Sequence, residues 1–205
     1  NSPMMVYTLT LGLYRVHCYI LEEEGQVVLI DPGARVDLIE ARLRALGSPQ
    51  VLAIILTHGH VDHTSAASDL ADTYGCPVYA HPLEEAVIRL KRLVPRAYVK
   101  AFDVRTRDLE EGPLRVGPFD LTIYHMPGHS PGHLVIACQN HLFTGDLLFR
   151  GTVGTTDTFG GSQADLHRSL NSLLAWPDET LVHPGHGPET SIGAEREKLL
   201  KRLGL

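Results

Sequence analysis

The sequence predicts a mixed α/β fold in which two β-sheets pack together and helices cover their outer surfaces. Short apolar segments predict strands in two runs along the chain, and segments with helical periodicity are interspersed with each run. The chain has 205 residues, of which 43% are hydrophobic, so it suits one domain with a sizeable core. We therefore predict a single globular domain over residues 1–205.

The predicted elements alternate along the chain as this fold class requires. The first run is predicted to contain strands at 6–11, 15–22, 26–30, 51–56 and 77–80 and helices at 36–46, 64–74 and 83–93. The second run is predicted to contain strands between 114 and 149, a helix at 164–174, a strand at 180–182 and a terminal helix at 195–203. Residues 1–3 precede the first Met, and we interpret them as an expression remnant with no part in the fold.

A cluster of candidate metal ligands follows the predicted strand at 51–56. It has the pattern His58-x-His60-x-Asp62-His63. Neutral imidazole and carboxylate groups suit Zn²⁺, and also Fe or Mn. In an extended loop His58 and His60 point the same way, whereas Asp62 and His63 turn aside toward a second point. One loop can therefore supply ligands to two metal ions.

Three later turns each place a His or an Asp just after a predicted strand. They contain His129, Asp146 and His186, and each turn carries Gly residues that let the backbone approach closely. Asp31 follows another strand and suits an acceptor that orients a ligating His, but a simple turn before Pro-Gly explains it nearly as well. His133 likewise suits either ligand orientation or packing.

Taken together, these motifs resemble the metallo-β-lactamase superfamily, and most closely its short glyoxalase II-like (hydroxyacylglutathione hydrolase-like) enzymes. The resemblance runs from about residue 29 to residue 187 and fills every ligand position. It implies an αββα sandwich of two mixed β-sheets flanked by helices. It also implies a centre that holds two metal ions, here expected to be Zn²⁺ with Fe or Mn as alternatives.

The resemblance further implies how the ligands are divided between the two ions. One ion is expected at His58, His60 and His129. The other is expected at Asp62, His63 and His186. Asp146 is expected to bridge them, because a carboxylate has two oxygens and the ions of two-metal sites lie about 3.5–4 Å apart.

Such a centre predicts a metal-dependent hydrolase, most simply of thioesters. Water on zinc has a pKa of about 7, so hydroxide is available near neutrality to attack an acyl carbonyl. A thiolate, whose thiol has a pKa of about 8.5, leaves without a strong general acid, whereas an amine needs one. The motifs contain no obvious extra acid, which is compatible with a thioester. Asp62 and Asp146 are the predicted catalytic residues, and an acyl thioester is the expected small-molecule substrate.

Substrate recognition is predicted to differ from that of long glyoxalase II enzymes. Those enzymes hold glutathione with a Lys and a Tyr at the positions of Thr155 and Asp157, and with a further helical region that we do not expect here. Arg150 is the only cation left in the loop at 148–157, and we predict that it binds substrate. The basic run from Arg89 to Lys100, which includes Lys91, is interpreted first as a solvated helix face rather than a substrate site.

Two other functions stay open. A persulfide dioxygenase of the same superfamily holds one Fe(II) with two histidines and a carboxylate, which would map onto His58, His129 and Asp146. In a non-catalytic protein the metals would only stabilise the fold or sense metal supply, but structural zinc sites are usually closed and rich in Cys.

Composition sets the expected location and partners. The net charge of -6 argues against a nucleic-acid partner. No apolar run approaches the length of a membrane span, and no signal-peptide pattern is present, so we expect a cytoplasmic protein without a membrane partner. Cys18, Cys76 and Cys138 are predicted to be reduced core residues.

Overall fold

The computed structural model describes residues 3–90 and 92–205. Residues 1–2 of the predicted expression remnant and Lys91 of the basic run lie outside this part of the chain. The described strands form two six-stranded sheets and one short hairpin. Both large sheets are mixed, and helices lie against them, so the predicted αββα sandwich is confirmed.

The first sheet has its strands in chain order. They are β1 at Met5–Leu11, β2 at Val16–Glu23, β3 at Gln26–Ile30, β4 at Gln50–Ile55, β5 at Val78–Ala80 and β6 at Arg107–Asp108. The pairings β1–β2 and β2–β3 are antiparallel. From β3 to β6 all neighbouring strands are parallel, so their carboxyl ends lie at one edge of the sheet.

The second sheet has the order β14-β13-β10-β9-β8-β7. Its strands are β7 at Gly112–Val116, β8 at Phe119–His125, β9 at Leu134–Cys138, β10 at His141–Gly145, β13 at Leu181–Pro184 and β14 at Thr190–Ser191. Only β10 and β13 run parallel, and the carboxyl ends of these two strands therefore meet. A small hairpin of β11 at Leu148–Phe149 and β12 at Thr152–Val153 follows β10.

Six helices complete the described chain. They are α1 at Val36–Ala45, α2 at Val61–Thr64, α3 at Ala67–Tyr74, α4 at Glu85–Arg89, α5 at Gln163–Leu173 and α6 at Ile192–Leu203. Two 3-10 segments lie at Pro82–Glu84 and Arg96–Asp103. Among the described helices, none combines the length and apolar character needed to cross a lipid bilayer.

Alternation along the strands builds three apolar layers. In β3, Val27 and Leu29 face the helices of the first half, whereas Val28 and Ile30 face the second sheet. In β9, Ile136 faces the first sheet, whereas Val135 packs toward α5 and α6. The central strands are thus buried on both faces, which explains why their sequences are continuous apolar runs.

Three predicted helices differ from the structure. The terminal helix predicted at 195–203 begins earlier, at Ile192. The predicted helix at 64–74 also begins earlier, at Val61, and is divided into α2 and α3. The predicted helix at 83–93 is shorter: α4 ends at Arg89, and Leu90 is extended. Arg89 donates hydrogen bonds to the carbonyl oxygens of Phe102 and Val104 at 2.9 and 2.6 Å. These contacts with the 3-10 segment replace further helical turns, so interpreting Arg89 as part of a solvated face was wrong.

The three cysteines are free, as the sequence predicts, but Cys76 is only partly buried and so is not the core residue that was predicted. Cys18 and Cys138 are buried, and burial raises the pKa of both thiols.

Candidate metal centre

The predicted ligands lie together at the carboxyl ends of parallel strands. The loop after β4 carries His58 and His60, and the backbone of His60 is extended. Helix α2 begins directly after it, so Asp62 and His63 lie in its first turn. In the second sheet, Asp146 follows β10 and His186 follows the parallel strand β13. The loop between β8 and β9 supplies His129. The two sheets therefore contribute ligands to one site.

The ligand atoms form two groups that share one residue. The atoms of each group lie within 4.8 Å of one another. The first group contains His58, His60, His129 and Asp146. The second group contains Asp62, His63, Asp146 and His186.

The two carboxylate oxygens of Asp146 face different groups. Its Oδ2 lies 3.6 Å from His58 Nε2 and 3.5 Å from His129 Nε2. Its Oδ1 lies 3.2 Å from His63 Nε2 and 3.5 Å from His186 Nε2. Asp146 is buried, and a Cβ on the neighbouring Gly185 would lie 2.5 Å from its Oδ1, so Gly is required there for the two strands to approach.

Asp31 fixes the orientation of two histidines from behind. Its Oδ2 lies 2.9 Å from His63 Nδ1, and because a carboxylate accepts, that nitrogen carries the proton. The hydroxyl of Thr57 donates to the same oxygen at 2.6 Å and therefore accepts from His58 Nδ1 at 2.9 Å. When either ring is neutral, its free lone pair is then on Nε2, the atom that faces Asp146.

His129 is oriented in the same sense by a backbone carbonyl. Its Nδ1 donates to the carbonyl oxygen of Thr155 at 2.7 Å, so its Nε2 also presents a lone pair. That Nε2 lies 3.1 Å from His60 Nδ1. His133, predicted either to orient a ligand or to pack, does both: its Nε2 accepts from the Asp146 backbone N–H at 3.2 Å, and its ring stacks on His58 at 5.1 Å.

The residues present fit a cation. Four buried ligand-residue atoms have no hydrogen-bond partner in the described chain, namely His58 Nε2, His60 Nε2, His63 Nε2 and Asp146 Oδ1. Unpaired buried polar atoms are costly in a folded protein, and a bound metal would satisfy those that face the centre. The donor set of imidazole nitrogens and carboxylate oxygens suits Zn, Fe or Mn.

The electrostatics of the second group also favour positive charge. Burial lowers the pKa of His63, but the carboxylates of Asp146, Asp62 and Asp31 outweigh it and raise the pKa well above its usual value. For His186, burial is likewise outweighed by the hydrogen bonds to Asp146 and Asp62, and the pKa rises to about 9. Protons bind tightly there because the negative potential attracts any cation, including a metal ion.

Arg150, the predicted substrate-binding residue, is exposed in the turn between β11 and β12. Among the described residues no hydrogen bond or ion pair holds its side chain. The neighbouring Phe149 ring lies 6.0 Å from the ring of His186, so this hairpin borders the metal centre. Glu195 of α6 anchors the hairpin by accepting from the Gly151 N–H at 2.8 Å.

Sequence reasoning missed one buried carboxylate beside the centre. Glu84 accepts hydrogen bonds from the backbone N–H groups of Gly59 and Gly132, which lie in the two loops that carry the histidines of the first group. Its side chain is fully buried. A buried Glu is unusual. The sequence gives no sign of it, because its two partners are backbone N–H groups and no side-chain motif marks them.

With this geometry established, comparison with known proteins assigns the family. The sequence profile described as the metallo-beta-lactamase superfamily matches residues 11–186. The chain belongs to the metallo-β-lactamase superfamily. Its function is accordingly metal-dependent and hydrolase-like, as in other members of this superfamily.

Two bacterial relatives in this superfamily match nearly the whole length of the chain. A probable metallo-hydrolase, YqgX of Bacillus subtilis, is 33% identical, and the match covers 92% of each chain. The hydroxyacylglutathione hydrolase GloC of Haemophilus influenzae is 29% identical, with 94% of this chain and 95% of GloC covered.

Three solved structures share the fold. BLEG-1, a B3 metallo-beta-lactamase, has 34% identity and a TM-score of 0.86, with 94% of this chain and 97% of that chain covered. TTHA1623 in a di-iron-bound form has 39% identity and a TM-score of 0.80, with 93% and 97% covered. ETHE1 from Myxococcus xanthus has 28% identity and a TM-score of 0.78, with 98% and 85% covered.

Proposed function

We propose that the protein is a binuclear metal-dependent hydrolase of acyl thioesters. The observation that carries the two-metal part is Asp146, whose Oδ2 faces His58 and His129 while its Oδ1 faces His63 and His186. One carboxylate oxygen for each group is the arrangement expected of a bridging ligand. The relative TTHA1623, which carries two iron ions, supports two-metal occupancy and keeps iron beside zinc as a candidate.

In this proposal, the protein's own residues hold and orient the centre. His58, His60, His129 and Asp146 would bind one ion, and Asp62, His63, His186 and the shared Asp146 the other. When bound, the ions supply acidified water and an electrophile for the substrate carbonyl. Asp31 and the Thr155 carbonyl keep the ring protons of the ligands on the outer nitrogens, so the inner nitrogens stay available.

The thioester part of the proposal rests on the leaving group and on one relative. Among the described residues, three carboxylates beside the ligand cluster already have partners: Asp62 faces His186, Asp31 accepts from the Thr57 N–H, and Glu84 accepts from the Gly59 N–H. We therefore assign none of them as an acid for an amine leaving group. A thiolate needs no such acid. The hydroxyacylglutathione hydrolase GloC, which this chain resembles over nearly its whole length, supports the same substrate class.

The test combines metal content with three activities. The purified protein is assayed for bound metal and for turnover of a glutathione thioester, glutathione persulfide and a β-lactam. We expect two equivalents of metal and thioester cleavage. A single iron with oxygen uptake on the persulfide would instead establish the dioxygenase alternative. Cleavage of the β-lactam alone would overturn the thioester proposal and point to the activity named for BLEG-1.

A further inference from the structure

We infer that Glu84 is a positioning residue for the first metal site, through the two loops that carry His58, His60 and His129. This inference rests on the proposed metal centre, but it needs no particular substrate. Among the described residues, no hydrogen bond or ion pair joins the Glu84 carboxylate to a ligand side chain. Its role would be to hold two separate loops at the spacing that one ion requires.

The hydrogen bonds of Glu84 join the loops directly. Its Oε1 accepts from the Gly59 N–H at 2.7 Å, and Gly59 lies between His58 and His60. Its Oε2 accepts from the Gly132 N–H at 2.8 Å, three residues after His129. Each carboxylate oxygen therefore holds one loop, and across the gap the His60 Nδ1 and His129 Nε2 atoms lie 3.1 Å apart.

The surroundings of Glu84 leave it little freedom. Its side chain is 0% exposed. A Cβ on Gly132 would lie 3.0 Å from Glu84 Cγ, and a Cβ on Gly59 would lie 2.7 Å from Ile88 Cγ1. Glu84 ends the 3-10 turn at Pro82–Glu84, which is capped by His81: its Nδ1 accepts from the Leu83 N–H at 3.1 Å. The position of Glu84 is thus fixed by its own 3-10 turn as well as by the two loops that it bonds.

The charge of Glu84 adds to this geometry. Burial raises its pKa, while the backbone N–H groups of Gly59 and Gly132 act in the opposite direction by stabilising the carboxylate. Two divalent ions carry four positive charges, and Asp62 and Asp146 offset two of them. Asp31, which lies behind a ligand of each group, and Glu84 behind the first group would offset the other two, so the region as a whole approaches neutrality.

Replacing Glu84 with Gln separates this role from a general effect on folding. The Gln side chain fits the same space but has one acceptor oxygen, and its NH₂ group would face an N–H donor of one loop. One loop would be released and the negative charge lost. Substitutions of groups that support metal ligands typically weaken metal affinity by about 10–100-fold. We expect a loss of this size at the first site only.

The experiment uses Zn²⁺ titration of the metal-free protein by calorimetry in two backgrounds. His186→Ala retains the ligands of the first site, and His60→Ala retains those of the second. Adding Glu84→Gln should lower Zn²⁺ affinity about 10–100-fold in the first background and leave it unchanged in the second. Unchanged affinity in the His186→Ala background, or an equal loss in both, would overturn the inference, because a merely structural role weakens both sites alike.

Two further variants complete the design. Glu195→Gln is the matched control, because Glu195 is also buried and accepts from a backbone N–H and a hydroxyl, but these belong to Gly151 of the β11–β12 turn and Thr190 of β14. It should leave Zn²⁺ affinity unchanged in both backgrounds. If Glu84→Gln does not fold, Glu84→Asp decides: it keeps the charge and reaches only one loop, so it should give a smaller loss that is still confined to the first site. If the wild type binds a single ion, the two-metal proposal fails. The effect of Glu84→Gln on Zn²⁺ affinity at the first site can still be tested in the His186→Ala background.

Discussion

Asp31 Oδ2 lies 2.9 Å from His63 Nδ1, and both groups are buried. The same carboxylate also orders Thr57, and through it His58, so one residue orients a ligand in each group. Asp31→Asn removes the charge and puts a donor where an acceptor is needed. We expect metal affinity to fall about 10–100-fold at both sites, measured by Zn²⁺ titration. The exposed Asp37→Asn is the control, and equal affinities in the two variants would contradict this role for Asp31.

Asp146 is the residue on which both proposed ions depend. Asp146→Asn replaces one ligating oxygen by an NH₂ group and removes a charge from both coordination spheres. Metal content should therefore fall at both sites, as measured by elemental analysis after dialysis. Asp157→Asn, an exposed Asp farther along the same segment, should keep its metal. A variant of Asp146 that retains two ions and normal turnover would show that the bridging assignment is wrong.

His60 and His186 belong to different groups, so their loss should have different consequences. His60→Ala should deplete the first site, and His186→Ala should deplete the second, each leaving about one equivalent of metal. In a binuclear hydrolase both variants lose most activity. If His186→Ala keeps wild-type activity while His60→Ala does not, the enzyme works with one metal ion. Metal content and turnover of the same preparations make this distinction.

Glutathione recognition is expected to be weak. Thr155 and Asp157 replace two groups that hold glutathione in the long enzymes, and a lost charged hydrogen bond costs about 1.5–3 kcal/mol. Because 1.4 kcal/mol is about tenfold in affinity, two losses weaken binding by roughly a hundredfold or more. We predict hydrolysis of a lactoylglutathione-type thioester with a high KM, and little change with a smaller thiol. A low KM that Arg150→Ala abolishes would reveal a glutathione site at the β11–β12 turn.

His183 predicts a pH dependence of folding stability away from the metal ligands. Burial, followed by the neighbouring His141, lowers the pKa of His183 from 6.5 to about 4. Between these values the unfolded chain binds the proton and the folded chain does not, so stability is complete above pH 6.5 and is lost as the pH falls toward 4. One pKa unit corresponds to about 1.36 kcal/mol, which gives a loss of about 3 kcal/mol.

The measurement is urea unfolding of metal-free protein across this pH range. In His183→Phe the ring remains stacked near Phe143, whose centroid lies 4.8 Å from that of His183, but the titrating group is gone. The stability of the variant should depend less on pH than that of the wild type, by the amount given above. His167→Phe, at an exposed position of α5, should retain the wild-type dependence. Parallel curves for His183→Phe and wild type would refute the assignment.

Functional residues can be predicted from the sequence where their role depends on their own side chains. The histidines of the loop at 57–63 stand close together in the chain, and the central strands are marked by apolar runs because both of their faces are buried. Even Asp31 could be anticipated, because it follows a strand parallel to the one that leads to the ligand loop. Local pattern and three-dimensional role coincide at these positions.

Other features depend on partners that have no sequence signature. Glu84 bonds backbone N–H groups that lie 25 and 48 residues away, and every residue except Pro has such a group. The strand β6 has two exposed residues, Arg107 and Asp108, so it lacks an apolar pattern. The end of α4 likewise depends on Arg89 reaching the carbonyl groups of a distant segment. Long-range contacts to the backbone override local periodicity in each case.

The bond from His129 to Thr155 uses the backbone carbonyl, and the Thr155 side chain takes no part in it. Substitutions at this exposed position can therefore change the surface beside the metal centre while the imidazole keeps its orientation. A substitution here would then alter substrate specificity without disturbing the metal ligands. Closely related sequences would differ in specificity after a single amino-acid change. The loop that follows Asp146 is consequently the place where paralogues of this enzyme should first diverge.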